Sequence, residues 1–152
     1  MMEPESIFEE NAFSLKSNNI EYWFYKGKGY FNLKKYEDAI KAFEKIIEIE
    51  PGNASAWFNK GTIFVNLERD DDALKAFEKA IEIDPGYESA WFNKGTILVN
   101  LEQHEEALKA FERVTQINPG NASAWFNKGN ALVTLEQYEG ALKAFERVTQ
   151  IN

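Results

Sequence analysis

The chain has no cysteine, a single histidine, only four prolines and no long apolar run. Each scarcity closes off a class of protein. Without cysteine there is no disulfide framework, no thiolate metal site and no cysteine nucleophile. His104 has no second ligand at metal spacing, so it reads as a surface turn residue and no metal is expected. Nothing approaches the ~20 apolar residues of a membrane span, and no signal or transit peptide pattern is present. The expectation is a soluble, cytoplasmic chain without membrane contact. Positive charge is also short, with 17 Lys and Arg against 25 Asp and Glu for a net charge of -8. The lysines mostly alternate with glutamates, and phosphates need clustered cations, so nucleic acid is a poor partner. The acidity serves solubility. The acidic run Asp70-Asp71-Asp72 suits a helix N-terminus, where carboxylates meet the positive end of the dipole. Calcium would need further oxygen ligands in a defined loop. No nucleophile–base pair or phosphate loop occurs, so neither enzyme activity nor a cofactor is expected.

What is present is periodic. Trp23, Trp57, Trp91 and Trp125 recur every 34 residues, each opening Trp-Phe-(Asn/Tyr)-Lys-Gly. A proline follows 28 residues later at Pro51, Pro85 and Pro119. A fixed period of this length indicates a stack of one supersecondary unit, which makes extended grooves in place of an isolated catalytic pocket. The period divides the chain into a prefix, 1–19, then 20–53, 54–87, 88–121 and an incomplete 122–152.

Within the second unit, Trp57, Gly61 and Phe64 fall within about 60° of arc at helical spacing, a buried stripe. The polar turn Glu68-Arg69-Asp70 follows. A second helical pattern then carries Ala73, Leu74, Phe77, Ala80 and Ile81 on one face, with Glu and Lys opposite. Asp84-Pro85-Gly86 stops it and lets the chain reverse. Asn53 and Asn121 suit the N-cap of the next helix, whereas Tyr87 at the equivalent place does not. Gly61 in mid-helix would cost ~1 kcal/mol against alanine unless it admits a close neighbour. The unit is helix, turn, antiparallel helix, turn.

Trp57, Gly61, Ala73, Phe77 and Pro85, with their counterparts 34 residues either way, make the chain resemble the tetratricopeptide repeat family, in particular its multi-repeat prokaryotic and archaeal members. The resemblance covers about 130 of the 152 residues. It departs at the seventh position of the unit, usually Leu but here Lys26, Lys60, Lys94 and Lys128, whose stems can cover apolar surface while the ammonium reaches water. The resemblance implies an all-α, right-handed superhelical solenoid of antiparallel helix pairs. It also implies a non-enzymatic protein-interaction scaffold whose first helices line a concave groove.

That groove would carry the second, fifth, sixth, ninth, twelfth and thirteenth positions of each unit. The fifth position supplies Phe24, Phe58, Phe92 and Phe126, and the sixth supplies Tyr25, Asn59, Asn93 and Asn127. The ninth supplies Lys28, Thr62, Thr96 and Asn130, and Asn66 and Asn100 stand at the thirteenth. An asparagine amide offers two donors and an acceptor, which match a peptide group. One per unit could hold an extended backbone without reading its sequence. Family members that bind extended peptides, the O-linked GlcNAc transferases among them, show a similar ladder. The bland alternative is that the asparagines bond to neighbouring helices or face solvent, and the phenylalanines pack between first helices. The carboxylate clamp of the family's cochaperones has only its asparagine component here, so a chaperone-tail ligand is not expected. Apart from Glu21 and Lys28 the inferred groove is uncharged.

The ends differ. Ala12, Phe13 and Leu15 align with Ile46, Ile47 and Ile49, and Asn18 replaces Gly52, so residues 1–19 read as a capping helix or degenerate half-repeat. Asparagine tolerates the left-handed conformation after a helix. The last unit has no polar capping helix and should expose Leu135, Leu142, Phe145 and Ile151. Units three and four differ at six of 31 shared positions, which suggests duplication or a slice of a longer array. A protein or peptide partner, lying in the concave groove as an extended peptide or a helix, is therefore the first expectation. Self-association as a homo-oligomer through the C-terminal repeat, or a fragment of a longer array, is the alternative.

Overall fold

The two apolar stripes of each unit become two helices. The computed structural model describes residues 18–151, and the capping helix expected over the prefix lies, through residue 17, outside the described residues. The order is α1 (Ile20–Asn32), α2 (Tyr36–Ile49), α3 (Ala54–Asn66), α4 (Asp70–Ile83), α5 (Glu88–Asn100), α6 (His104–Ile117), α7 (Ala122–Thr134) and α8 (Tyr138–Ile151). No strand occurs among the described residues. Each helix packs on its neighbours in sequence, most closely within the pairs α1–α2, α3–α4, α5–α6 and α7–α8. The molecule is an all-α solenoid.

The repeated glycine and phenylalanine explain each other. Phe43, Phe77 and Phe111 on the second helices are fully buried. A Cβ added to Gly27, Gly61 or Gly95 would stand 2.8, 2.7 or 2.9 Å from those rings. The glycine thus leaves room for an aromatic ring, and the packing offsets the helix-propensity loss. Ala39, Ala73 and Ala107 are fully buried, where the helices lie too close for a larger side chain.

Adjacent units are joined by the seventh-position lysines. Lys60 Nζ lies 2.7 Å from Glu44, Lys94 Nζ 2.8 Å from Glu78, and Lys128 Nζ 3.4 Å from Glu112. Each pair links a first helix to the second helix of the unit before. The Lys60 ammonium also stands 5.5 Å from the Trp57 ring centre, so the side chain runs across apolar surface to reach its carboxylate.

The turns depart from the sequence reading. Helix α3 ends at Asn66 and α4 begins at Asp70, so the turn is Leu67-Glu68-Arg69, one residue earlier than expected. Glu68 takes φ 56°, and Lys34, Glu102 and Glu136 do the same at φ 57°, 58° and 59°. Arg69 N–H donates to Phe64 O at 2.9 Å and Glu68 N–H to Val65 O at 3.0 Å, which closes the helix end in a Schellman arrangement. No described glycine has positive φ. At the turn between units, Asp84 Oδ1 instead accepts from Gly86 N–H at 2.9 Å, and Asn118 Oδ1 from Gly120 N–H at 3.1 Å.

The caps divide as the side chains require. Asn53 accepts from Ala56 N–H and Asn121 from Ala124 N–H, each at 2.9 Å. Asn19 caps α1 in the same way through Tyr22 N–H at 3.1 Å. Tyr87 makes no side-chain cap bond, and its ring stacks on Phe58 with centres 5.0 Å apart.

Candidate functional site

The candidate residues stand on α1, α3, α5 and α7. Each fifth-position ring leans on a phenylalanine of its own pair. Phe24 meets Phe43 at 6.0 Å, Phe58 meets Phe77 at 5.6 Å, Phe92 meets Phe111 at 5.7 Å and Phe126 meets Phe145 at 5.8 Å. Phe24, Phe58 and Phe92 are half-buried, whereas Phe126 is 51% exposed. The rings therefore show one edge to solvent and anchor the other in the core.

The asparagines spend part of their capacity within their own helices. Asn59 Nδ2 donates to Ser55 O at 2.7 Å and Asn127 Nδ2 to Ser123 O at 2.9 Å. Asn66 Nδ2 donates to Thr62 O at 2.9 Å. The hydroxyls of Thr62 and Thr96 donate to Phe58 O and Phe92 O, each at 3.1 Å. One amide N–H engaged to a carbonyl four residues back fixes the side-chain rotamer. Asn59 Nδ2 also lies 3.3 Å from Ser55 Oγ, so its Oδ1 is the atom left for a ligand, whereas Asn127 keeps its second N–H and its Oδ1.

Two hollows bring these residues together. One of about 160 Å³ is lined by Lys28, Phe31, Asn32, Phe43, Asn59, Thr62 and Ile63, from α1, α2 and α3. The other, of about 400 Å³, is lined by Phe58, Glu88, Ser89, Phe92, Asn93, Asn121 and Ser123, from the α3, α5 and α7 side of the stack. Tyr25, Asn66, Thr96, Asn100 and Asn130 are exposed and line neither hollow. Phe24, Phe126 and Asn127 also stand outside both.

Glu88 corrects the expectation of an uncharged groove. It stands in the second hollow, where the other units have Ile20, Ala54 and Ala122. Its Oε1 accepts from Asn121 Nδ2 at 2.7 Å and from Asn118 Nδ2 at 3.1 Å. The carboxylate is thus fixed by two amides of the following turn. The first position of the unit did not stand out because the helical spacing alone placed it before the groove face.

At the opposite edge of α1, Lys26 has a raised pKa, first because it donates to Tyr22 Oη at 3.3 Å. Its ammonium also faces the rings of Tyr22, Trp23 and Tyr30. Among the described residues no group of three or more His, Cys, Asp or Glu side chains is placed to hold a metal ion. No described helix is long and apolar enough to cross a membrane.

A stack of antiparallel helix pairs with a residue-lined first-helix face defines the class of helical repeat scaffolds. The family model described as "Tetratricopeptide repeat" matches residues 24–88 and 92–152, and the chain belongs to that family. By sequence, no curated protein matches it. Among solved structures it is similar to "Crystal structure of MamA" at 23% identity and TM-score 0.82, covering 93% of this chain and 83% of that one. "MamA 41-end from Desulfovibrio magneticus RS-1" follows at 22% identity and TM-score 0.75, covering 88% and 76%. "Crystal structure of YrrB: a TPR protein with an unusual peptide-binding site" is similar at 29% identity and TM-score 0.74, covering 96% and 75%. The MamA likenesses are likenesses of fold. The family and its fold support a protein-interaction scaffold with protein or peptide partners.

Proposed function

We propose that this chain holds an extended peptide along the face formed by α1, α3, α5 and α7, and that it acts in the cytoplasm without catalysing a reaction. The observation that carries the reading is the row Asn59, Asn93 and Asn127, one amide on each of three successive first helices. Asn59 and Asn127 are fixed by a bond to their own helix. Phe58 and Phe92 flank the amides and supply apolar edges for alternate side chains of the peptide. The peptide-binding site named for the similar YrrB structure favours the same ligand class. The units that serve it are those divided at 20–53, 54–87, 88–121 and 122–152.

Peptide-display selection on the parent and on Asn59→Ala/Asn93→Ala/Asn127→Ala, both first matched for helix content, tests this. Peptides enriched on the parent and lost on the triple variant support it. No enrichment, or enrichment indifferent to the substitutions, refutes it.

A second reading has its own observation. Leu74 and Leu108 pack against the cluster of the following unit. Their counterpart Leu142 is 62% exposed, while Leu135, Phe145 and Ile151 are half-buried. This favours self-association through the last unit.

A further inference from the structure

We propose that the hollow between α3, α5 and α7 receives a lysine side chain of the bound peptide, its ammonium resting on Oε2 of Glu88. The inference rests on the peptide-holding reading above and adds a residue that the peptide must carry.

Glu88 is fixed by groups whose own orientation is set by backbone. Asn121 Oδ1 accepts from Ala124 N–H at 2.9 Å, which commits its Nδ2 to Glu88. Asn118 Oδ1 accepts from Gly120 N–H at 3.1 Å, which commits its Nδ2 in the same way. The carboxylate sits half-buried where the two donors meet.

The earlier joints lack this arrangement. The counterparts of Glu88, Asn118 and Asn121 are Ile20, Glu50 and Asn53 at one joint, and Ala54, Asp84 and Tyr87 at the next. Both of those turns carry a carboxylate where Asn118 stands, which would repel an acid on the first helix. The joint at Glu88 has a neutral donor there and adds the acid. A helix dipole favours an acid at the start of α5, but it does not call for two amides from the following turn.

The charge of Glu88 is left without a counter-charge. Its two amide partners are neutral, and it forms no ion pair among the described residues. Oε1 accepts at 2.7 Å and 3.1 Å, whereas Oε2 has only Asn118 Nδ2 at 3.2 Å, shared with Oε1. A carboxylate oxygen accepts about two hydrogen bonds, so Oε2 keeps a free place. That place suits one N–H of an ammonium, whereas a bidentate guanidinium needs both oxygens.

The rest of the hollow fits the stem. It measures about 400 Å³, and Phe58 and Phe92 supply an apolar wall along which methylenes can lie while the ammonium reaches the polar end. Ser89 and Ser123 line it too and offer hydroxyl acceptors for the remaining N–H groups. Asn93 lines the same hollow, so a peptide backbone held by the asparagine row passes beside Glu88. A peptide without a cation there would cover the carboxylate and leave its charge unpaired, which disfavours it.

Display selection from a random peptide library, run in parallel on the full chain, on Glu88→Gln and on Glu88→Ala, tests the proposal. Alanine already fills this position at Ala54 and Ala122, and matched circular dichroism verifies that each variant is folded. The expected result is lysine enriched at one fixed position on the parent, with both variants losing that preference while still enriching peptides. The selected peptide is then made with norleucine in place of its lysine. Glu88→Gln should weaken the lysine form roughly tenfold and leave the norleucine form nearly unchanged. Equal losses for the two forms would mean that Glu88 only ties the turn, and they overturn the proposal. Enrichment without a lysine preference, with arginine in its place, or with a preference that survives both variants overturns it and leaves the asparagine row standing. No enrichment on the parent overturns the peptide-holding reading and this proposal together.

Discussion

The indole Nε1–H of Trp91 donates to the carbonyl oxygen of Pro85 at 3.0 Å, so the two residues that mark the period in the sequence touch in the structure. Trp125 reaches Pro119 at 2.9 Å, and Trp57 reaches Pro51 at a longer 3.4 Å. The bond ties the start of each first helix to the turn that precedes it. A helix pair therefore inherits its orientation from the unit before.

Trp91→Phe keeps an aromatic ring in the stripe but removes the donor. The lost bond contributes ~1 kcal/mol and the smaller ring adds a packing loss, for a total of about 1–3 kcal/mol. Trp57→Phe should cost less, because its bond is longer. Urea unfolding followed by circular dichroism measures both, and equal midpoints for the parent and Trp91→Phe would show that the bond adds nothing.

The same substitution at two glycines of the first helices should have opposite signs. An alanine Cβ at Gly61 would stand 2.7 Å from Cε1 of Phe77, whose ring is fully buried and has nowhere to move. Overpacking of ~2–3 kcal/mol against a fully buried ring exceeds the ~1 kcal/mol gained in helix propensity, so Gly61→Ala destabilises by about 1–2 kcal/mol. A Cβ at Gly29 meets nothing within 4 Å, and Gly29→Ala should gain ~0.5–1 kcal/mol. Thermal unfolding of the two variants separates the cases, and a stabilised Gly61→Ala would contradict the account of the repeated glycine.

Glu102 is held at φ 58° and its side chain makes no bond among the described residues. An L-residue pays roughly 1–2 kcal/mol for that conformation, and glycine does not. Glycine's greater freedom in the unfolded chain takes back part of the gain. Glu102→Gly should therefore raise stability by a few tenths to ~1 kcal/mol, read as a higher denaturation midpoint at unchanged slope.

The helix pairs were legible because Trp57, Gly61, Phe64, Ala73 and Phe77 lie at helical spacing and recur. The caps at Asn53 and Asn121 were legible for the same reason, since a side-chain oxygen next to an apolar stripe has one obvious use. The turn at Glu68 was not, because nothing in Leu-Glu-Arg announces a left-handed residue. Only the closure of α3 by Arg69 and Glu68 imposes it. The role of Glu88 was hidden by distance in sequence, because its partners Asn118 and Asn121 belong to the next turn along the stack. The asparagine row was legible as a pattern. That Asn59 and Asn127 each commit one N–H to their own helix depends on a rotamer, which spacing does not specify.

The central claim is that Asn59, Asn93 and Asn127 grip a peptide backbone. The most direct measurement is the nuclear magnetic resonance of their side-chain amide groups during titration with a display-selected peptide. The account predicts that these three amides shift together with the peptide's saturation, while that of Asn18 does not. Shifts confined to α8, or an unmoved set of groove amides at saturation, would contradict it.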